Sequence, residues 1–290
     1  MITAHAKINL TLSVTGRDED GYHQLVSAVC FTDFGDKLRI SPTSDNPITT
    51  IKGPFAEILA KAGGDHLVSG AHNLAKEIVP SLDDYDVAIE KHIPLGGGLG
   101  GGSADAAAYL RAITSDWTQD ARMQLRDKLV SLGADVPACY INKMHIMTAR
   151  GEMAHDVASD PARNPIMVIA NPNCHADTGA VFRHFAEHNK DYSADNQAPL
   201  SQYLQQGAWG DVLAIGNDLT SSAMALYPDI SDLLRRMEQS GHETKDAFIG
   251  AGMSGSGASC FALLTDDEAA SYVVSSLRNQ KIWVQKTRFF

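Results

Sequence analysis

Residues 94–110 read PLGGGLGGGSADAAAYL. Six glycines in nine positions cost backbone entropy wherever the chain is ordered, so a fold that keeps them uses their backbones. Glycines running into a helix let backbone N–H groups converge in a concave nest, to which the helix N-terminus adds partial positive charge. Such a place suits a phosphate. The helix is expected to begin near Ser103, whose hydroxyl can cap the first turn or reach a phosphate or its metal. Its alanines allow close packing, which fixes where the positive end points. A flexible linker would mix polar residues through the run, whereas here Pro94 and Leu95 precede it and a strong helix follows.

Other phosphate loops fit less well. A P-loop needs Gly-Lys-Ser/Thr, and no lysine follows these glycines. Gly96, Gly98 and Gly101 match G-x-G-x-x-G, but a glycine run matches almost any glycine pattern, and a βαβ context is missing. Asp33-Phe34-Gly35 imitates a protein-kinase motif without the H-R-D or V-A-I-K segments. It reads as a turn between two strands, VSAVCFTDF and KLRISP.

Outward from the loop, Ala6 to Gly16 alternates. Ala6, Ile8, Leu10, Leu12 and Val14 take one face, and Lys7, Asn9, Thr11, Ser13 and Thr15 the other, as in a half-buried strand with a solvated polar side. Helical patterns cover His66 to Ile78, Ser103 to Ile113 and Gln119 to Leu132, the last ended by Gly133. The polar stretch GEMAHDVASDPARNP sets a boundary near Asp160 to Pro165. Beyond it come a fresh apolar run, IMVIANPN, at Ile166 to Asn173, and an expected helix over Thr178 to Glu187, a loop rich in Asn, Gln and Ser, and helices at Ser221 to Leu226 and Asp229 to Ser240. Strands AFIGAG and SCFALL, a helix over Asp267 to Leu277 and a strand KIWVQKTRF close the chain. Segregated strands and helices read as α+β.

The 290 residues exceed one usual core and carry 44% apolar and 20% charged side chains, ordinary globular composition. A formal charge of −11 disfavours a nucleic-acid partner. Four scattered cysteines without a C-x-x-C pair give neither a zinc ribbon nor a disulfide framework, and fit a reducing cytoplasm. No basic leader with an apolar segment and no window near eighteen apolar residues is present, so no membrane partner is expected. Nothing in the sequence assigns an oligomeric state.

At Pro94 to Ser103 the sequence resembles the GHMP kinases, the family of galacto-, homoserine, mevalonate and phosphomevalonate kinases. AKINLTLSVTGRDEDGYH, LGADVP (Leu132 to Pro137), GNDL (Gly216 to Leu219) and MSGSGASCF (Met253 to Phe261) follow the family's order nearly end to end. The resemblance implies a two-domain α+β GHMP kinase fold: an N-terminal ribosomal S5 domain 2-like, ATP-binding domain over 1–160 and a C-terminal ferredoxin-like α/β sandwich over 161–290. It implies ATP with Mg2+, the phosphates cradled by Pro94, Gly96, Gly97, Gly98, Leu99, Gly100, Gly101, Gly102 and Ser103. The implied small-molecule substrate is cytidine diphosphate methylerythritol, phosphorylated on its 2-hydroxyl in the non-mevalonate route to isoprenoids.

Carried over by position, Asp135 and Lys7 match the catalytic aspartate and lysine. A carboxylate near the acceptor hydroxyl takes its proton, and an ammonium beside a carboxylate favours its charged form. Pro137 is expected to push Val136 into an extended conformation, placing Asp135 where a helix has ended. Tyr22 and His23 match a pair that holds cytosine, and Phe182 a second wall of that slot. Ser254 and Gly255, with Ser256 and Gly257, match a loop closing over phosphates or acceptor, alternatively an ordinary hairpin turn. Asn9 is placed at the acceptor hydroxyls. Lys91 matches a lysine near the nucleotide, alternatively a solvated strand end. His5 stands two residues before Lys7 where a proline precedes the motif in the family, and His66 stands where the family has an adenine-contacting asparagine. His184-x-x-Glu187-His188 imitates an inverted zinc-protease motif but lacks an obvious third ligand, and no metal-ligating residue is assigned.

Overall fold

The computed structural model describes residues 1–43, 47–61, 66–158, 160–189, 191–278 and 282–290. In chain order it contains β1 (Ile2–Asn9), β2 (Ser13–Arg17), β3 (His23–Thr43), β4 (Thr49–Lys52), α1 (Ala56–Lys61), α2 (His66–Ile78), β5 (Asp84–Glu90), α3 (Gly101–Ile113), α4 (Gln119–Lys128) and α5 (Val136–Ile141). There follow β6 (His145–Ala149), β7 (Met153–Asp156), β8 (Ile166–Asn171), α6 (Thr178–His188), α7 (Gln197–Gln206), α8 (Trp209–Ile215), α9 (Thr220–Leu226), α10 (Pro228–His242), β9 (Phe248–Met253), β10 (Cys260–Leu264), α11 (Asp267–Arg278) and β11 (Trp283–Thr287). The α+β class holds. Among the described residues no helix is long and apolar enough to cross a membrane.

Contacts divide the chain into two compact units, Met1–Lys7, Phe34–Leu95 and Gly100–Asn142 in the first and Ile8–Asp33, Gly96–Leu99 and Lys143–Phe290 in the second. In the first unit β5 pairs antiparallel with residues 37–43 of β3 and parallel with β4. The alanine-rich α3 packs between α2 and α5, with Ala104, Ala106, Ala107 and Ala108 buried. Small side chains let helix backbones approach closely, as the sequence leads one to expect.

In the second unit residues 25–29 of β3 pair with β6, which pairs with β7, and β2 pairs along residues 23–26. Its other sheet runs β11-β8-β10-β9, antiparallel throughout. With α6 to α10 between β8 and β9 and α11 between β10 and β11, this is the β-α-β-β-α-β order of a ferredoxin-like sandwich. β8 and β10 are buried at every position. One face of this sheet joins α10 and α11 in a core that includes Val168, Ala262, Leu264, Ile230, Leu233, Val273 and Leu277.

Several local expectations are corrected. Asp33-Phe34-Gly35 is not a turn, because β3 runs through it for 21 residues. A Cβ on Gly35 would lie 2.1 Å from the Ala4 carbonyl oxygen, so glycine here admits a crossing backbone instead of reversing the chain. The alternating run of residues 6–16 is two strands, interrupted where Leu12 bridges Asn217. Its polar face is not solvated, since Lys7, Asn9, Thr11 and Ser13 are all buried. The Asn/Gln/Ser-rich stretch holds α7 and α8, anchored by buried Leu200, Leu204, Trp209 and Val212. The last strand is Trp283–Thr287, and Lys281 lies outside the described residues.

Candidate active site

Lys7 projects from β1 and Asp135 stands at the start of α5, both in the first unit. Lys7 Nζ donates to Asp135 Oδ1 at 2.6 Å. The lysine side chain is 3% exposed and the aspartate 37%, so the cation is sealed and the carboxylate opens outward. Asp135 has helical backbone angles (φ −86°, ψ −12°) as the cap of α5, and Val136 and Pro137 form its first turn. The expected extended Val136 is thus overturned. Proline is tolerated in a first turn because the missing N–H would have had no intrahelical acceptor. A Cβ on Gly100 would touch Lys7 at 3.4 Å and the Cys139 Sγ at 3.6 Å, so loop, lysine and α5 pack together. Burial pushes the Cys139 thiol up to about 12, which keeps it a neutral packing group.

The glycine run is shared between the units. Gly100, left-handed at φ +63°, caps α3, and the helix begins at Gly101. Ser103 therefore sits inside the first turn and does not cap it. The first helical bond is Ala104 N to Gly100 O, leaving the N–H groups of Gly101 to Ser103 without intrahelical acceptors. These are donors for an anion, with the helix dipole behind them.

Lys91 lies beneath this turn. It is buried, so the solvated-strand-end alternative is overturned. Its Nζ bonds Asp105 Oδ2 at 2.6 Å and also Asp36 Oδ2. Asp36 Oδ1 accepts from His92 N at 2.5 Å and Ile93 N at 2.8 Å. Burial alone would lower the lysine pKa, but Asp105 and Asp36 outweigh it and hold it above the usual value. This network ties β3, the end of β5 and α3 together just before buried Pro94. Asp65 and the side chain of His66 lie outside the described residues.

In the second unit Gly96 to Leu99 meets the Ser254–Gly257 loop. Ser254 Oγ donates to Gly98 O at 3.0 Å and accepts from Asn9 N at 3.1 Å, and Ser259 N donates to Gly97 O at 2.9 Å. Gly98 is left-handed (φ +73°), and a Cβ there would lie 2.4 Å from Ser254 O. Asn9 Nδ2 donates to Ser27 Oγ at 2.8 Å. The loop connects β9 to β10, so it is a strand-to-strand turn, but one tied to the glycine segment.

Tyr22 and His23 stand at the β2–β3 turn of the second unit. Tyr22 is 62% exposed, and the Arg150 guanidinium lies 4.7 Å from its ring centroid. The His23 and Phe182 rings stack at 5.1 Å and 25°, with Phe185 edge-on at 6.0 Å. Burial, then the nearby charge of Arg17, lowers the His23 pKa below 6.5. His23 Nε2 is buried with no hydrogen-bond partner among the described residues.

Two residues with supporting roles carried no assigned part in the sequence. Asn217 Nδ2 donates to Met253 O at 2.9 Å and Gly255 O at 2.8 Å, bracing the serine loop. Arg150 ties Asp18 and Asp20 at 2.7 and 2.8 Å and so holds the turn that presents Tyr22. The GNDL segment marked the first, and nothing local marked the second. His184 and His188 stack at 3.9 Å, and among the described residues no group of three or more His, Cys, Asp or Glu is arranged to hold a metal.

Residues 66–143 match the family model of the GHMP kinases N terminal domain, and residues 200–282 that of the GHMP kinases C terminal. A 4-diphosphocytidyl-2-C-methyl-D-erythritol kinase of Agrobacterium fabrum is 35% identical over 285 residues, covering 96% of this chain and 91% of its own. One of Rhizobium etli is 37% identical over 280 residues, covering 96% and 90%. Among solved structures, a 4-(cytidine 5'-diphospho)-2C-methyl-D-erythritol kinase superposes with a TM-score of 0.77 at 28% identity, covering 99% of this chain and 98% of its own. L. major mevalonate kinase reaches 0.68 at 14% identity over 99% and 95%, a likeness of fold alone.

Proposed function

The chain belongs to the GHMP kinase family, and on that footing we propose that it transfers the γ-phosphate of ATP to the 2-hydroxyl of 4-diphosphocytidyl-2-C-methyl-D-erythritol, in the non-mevalonate route to isoprenoid precursors. The observation that carries phosphotransfer is the 2.6 Å contact between Lys7 and Asp135. A half-open carboxylate can take the acceptor proton, while the buried ammonium fixes its orientation and steadies the oxygen as it attacks.

In this reading residues 1–160 form the ATP-binding domain and residues 161–290 the C-terminal domain. Backbone N–H groups of Gly96, Gly97, Gly98, Leu99, Gly100, Gly101, Gly102 and Ser103 bind the triphosphate, with Pro94 setting the entry to the loop. Lys91 contributes to the nucleotide site from below, through Asp105 on α3. Mg2+ bound with the nucleotide neutralises charge on the transferring group, and the Ser103 hydroxyl is the cradle side chain suited to it. Ser254 and Gly255 with Asn9 bind the acceptor, Asn9 through its side chain. Tyr22, His23 and Phe182 hold cytosine, and the unpartnered His23 Nε2 supplies a hydrogen bond to the base edge. The enzyme works in the cytoplasm on a small molecule, with no nucleic-acid partner.

Incubation with Mg-ATP and, separately, 4-diphosphocytidyl-methylerythritol, galactose, homoserine and mevalonate is expected to release ADP with the first alone. Turnover of another acceptor at comparable kcat/KM would move the protein elsewhere in the family.

A further inference from the structure

Helix α5 has six residues, with Asp135 at its head. So short a helix is marginal by itself and takes its orientation from what packs on it. At its head Cys139 N bonds Asp135 O at 3.0 Å. At its tail the last carbonyls lack intrahelical donors and carry partial negative charge. Arg111, in the last turn of α3, meets them: its Nη1 donates to Cys139 O at 2.5 Å and, more weakly, to Tyr140 O at 3.5 Å. Arg111 is half-buried, and burial disfavours its charged form, so a guanidinium here needs acceptors for its N–H groups. The gripped residues lie four and five positions beyond Asp135, about 6–7.5 Å along the helix axis. The same α3 opens on Gly101, Gly102 and Ser103. One rigid helix therefore carries donors of the phosphate cradle at one end and holds the helix of Asp135 at the other.

We propose that Arg111 is a positioning residue for phosphotransfer: by gripping the C-terminal carbonyls of α5 it keeps Asp135 aligned on Lys7 and on the acceptor hydroxyl. The inference rests on the reading of Asp135 given above. A lysine at 111 keeps a charge, but its flexible ammonium replaces the fixed planar guanidinium whose Nη1 meets both carbonyls.

The test is steady-state kinetics with Mg-ATP and the cytidine acceptor for Arg111→Ala, Arg111→Lys, Asp135→Asn and the double variant Asp135→Asn/Arg111→Ala. Misplacing a reacting group by an ångström costs up to about 100-fold, so Arg111→Ala is expected to lower kcat by about 10- to 100-fold with both KM values within about twofold. Millimolar guanidinium restores part of the loss, and in the Asp135→Asn background removing Arg111 costs less than about twofold more. Wild-type kcat in folded Arg111→Ala, or losses that multiply in the double variant, overturns the inference. Should the alanine variant not fold, Arg111→Lys decides by the same split: lowered kcat at unchanged KM supports the inference, and unchanged kcat overturns it. Full turnover by Asp135→Asn would instead take Asp135 out of its role, and the inference with it, while leaving the kinase reading in place.

Discussion

Lys7 and Asp135 are 128 residues apart in sequence and 2.6 Å apart in space, a buried ammonium donating to a carboxylate whose side chain is 37% exposed. The asymmetry gives each a task. The sealed lysine holds position and charge, and the open aspartate can meet an alcohol.

Asp135→Asn keeps the shape of the side chain and removes its basicity. General-base contributions run to about 10²–10⁴-fold, so kcat is expected to fall by at least about 100-fold while calorimetric binding of nucleotide and acceptor stays near wild type. A kcat within tenfold of wild type would take Asp135 out of its proposed role.

Much of the framework was legible because local signals agreed with tertiary structure. Alanines after the glycine run marked α3, and apolar runs marked β8 and β10. What escaped was set by long-range contact. Asp33-Phe34-Gly35 carries turn-forming residues, yet β1 crosses at Gly35 and the strand continues. Lys7 and Asn9 alternate as on a wet strand face, yet both are buried. Lys91 has no nearby sequence neighbour that announces Asp36, 55 residues away. In α7 the apolar pair Leu200 and Leu204 is hidden among glutamines and serine. The order of motifs singled out the candidate residues and the GNDL segment, whereas the contacts by which Asn217 and Arg150 brace their loops emerge only in three dimensions.

Lys91 is held by two buried carboxylates. Lys91→Met would leave Asp36 and Asp105 without their shared cation, and breaking a buried pair from one side costs about 3–5 kcal/mol. Chemical denaturation is expected to show a loss of that order, and a loss below about 1 kcal/mol would mean that other groups stabilise these carboxylates.

Two glycine-to-alanine changes should move stability in opposite directions. At Gly98 the left-handed backbone costs about 1–2 kcal/mol for any other residue, and the new Cβ would meet the Ser254 carbonyl at 2.4 Å, so both stability and turnover fall. At Gly210, inside α8 with nothing within 4 Å of the added carbon, alanine is expected to stabilise by about 0.5–1 kcal/mol. Urea midpoints of the two variants check both signs.

Tyr22 is 62% exposed, with the Arg150 guanidinium 4.7 Å from its ring centroid. Loss of one base-stacking ring costs about 1–3 kcal/mol, so Tyr22→Ala is expected to raise KM for the cytidine acceptor by about 5- to 150-fold and leave KM for ATP within about twofold. Equal rises in the two constants would count against the cytosine slot.

His23 supplies a pH dependence whose sign follows from its surroundings. Burial, and then the charge of Arg17, disfavours the imidazolium, so the folded protein protonates this ring below the ordinary value of 6.5. As pH falls, an unfolded chain takes up this proton first. Stability therefore declines from about 6.5 downward and stops declining below the depressed folded value. Through the same lower range, charging the ring that stacks on Phe182 is expected to weaken acceptor binding, so KM for the cytidine acceptor rises on acidification while KM for ATP does not follow it. An NMR titration of the His23 ring should give a midpoint below 6.5, and His23→Asn should flatten the acid limb of acceptor KM. A midpoint at or above 6.5, or an acid limb that survives the substitution, would assign the pH dependence to another group.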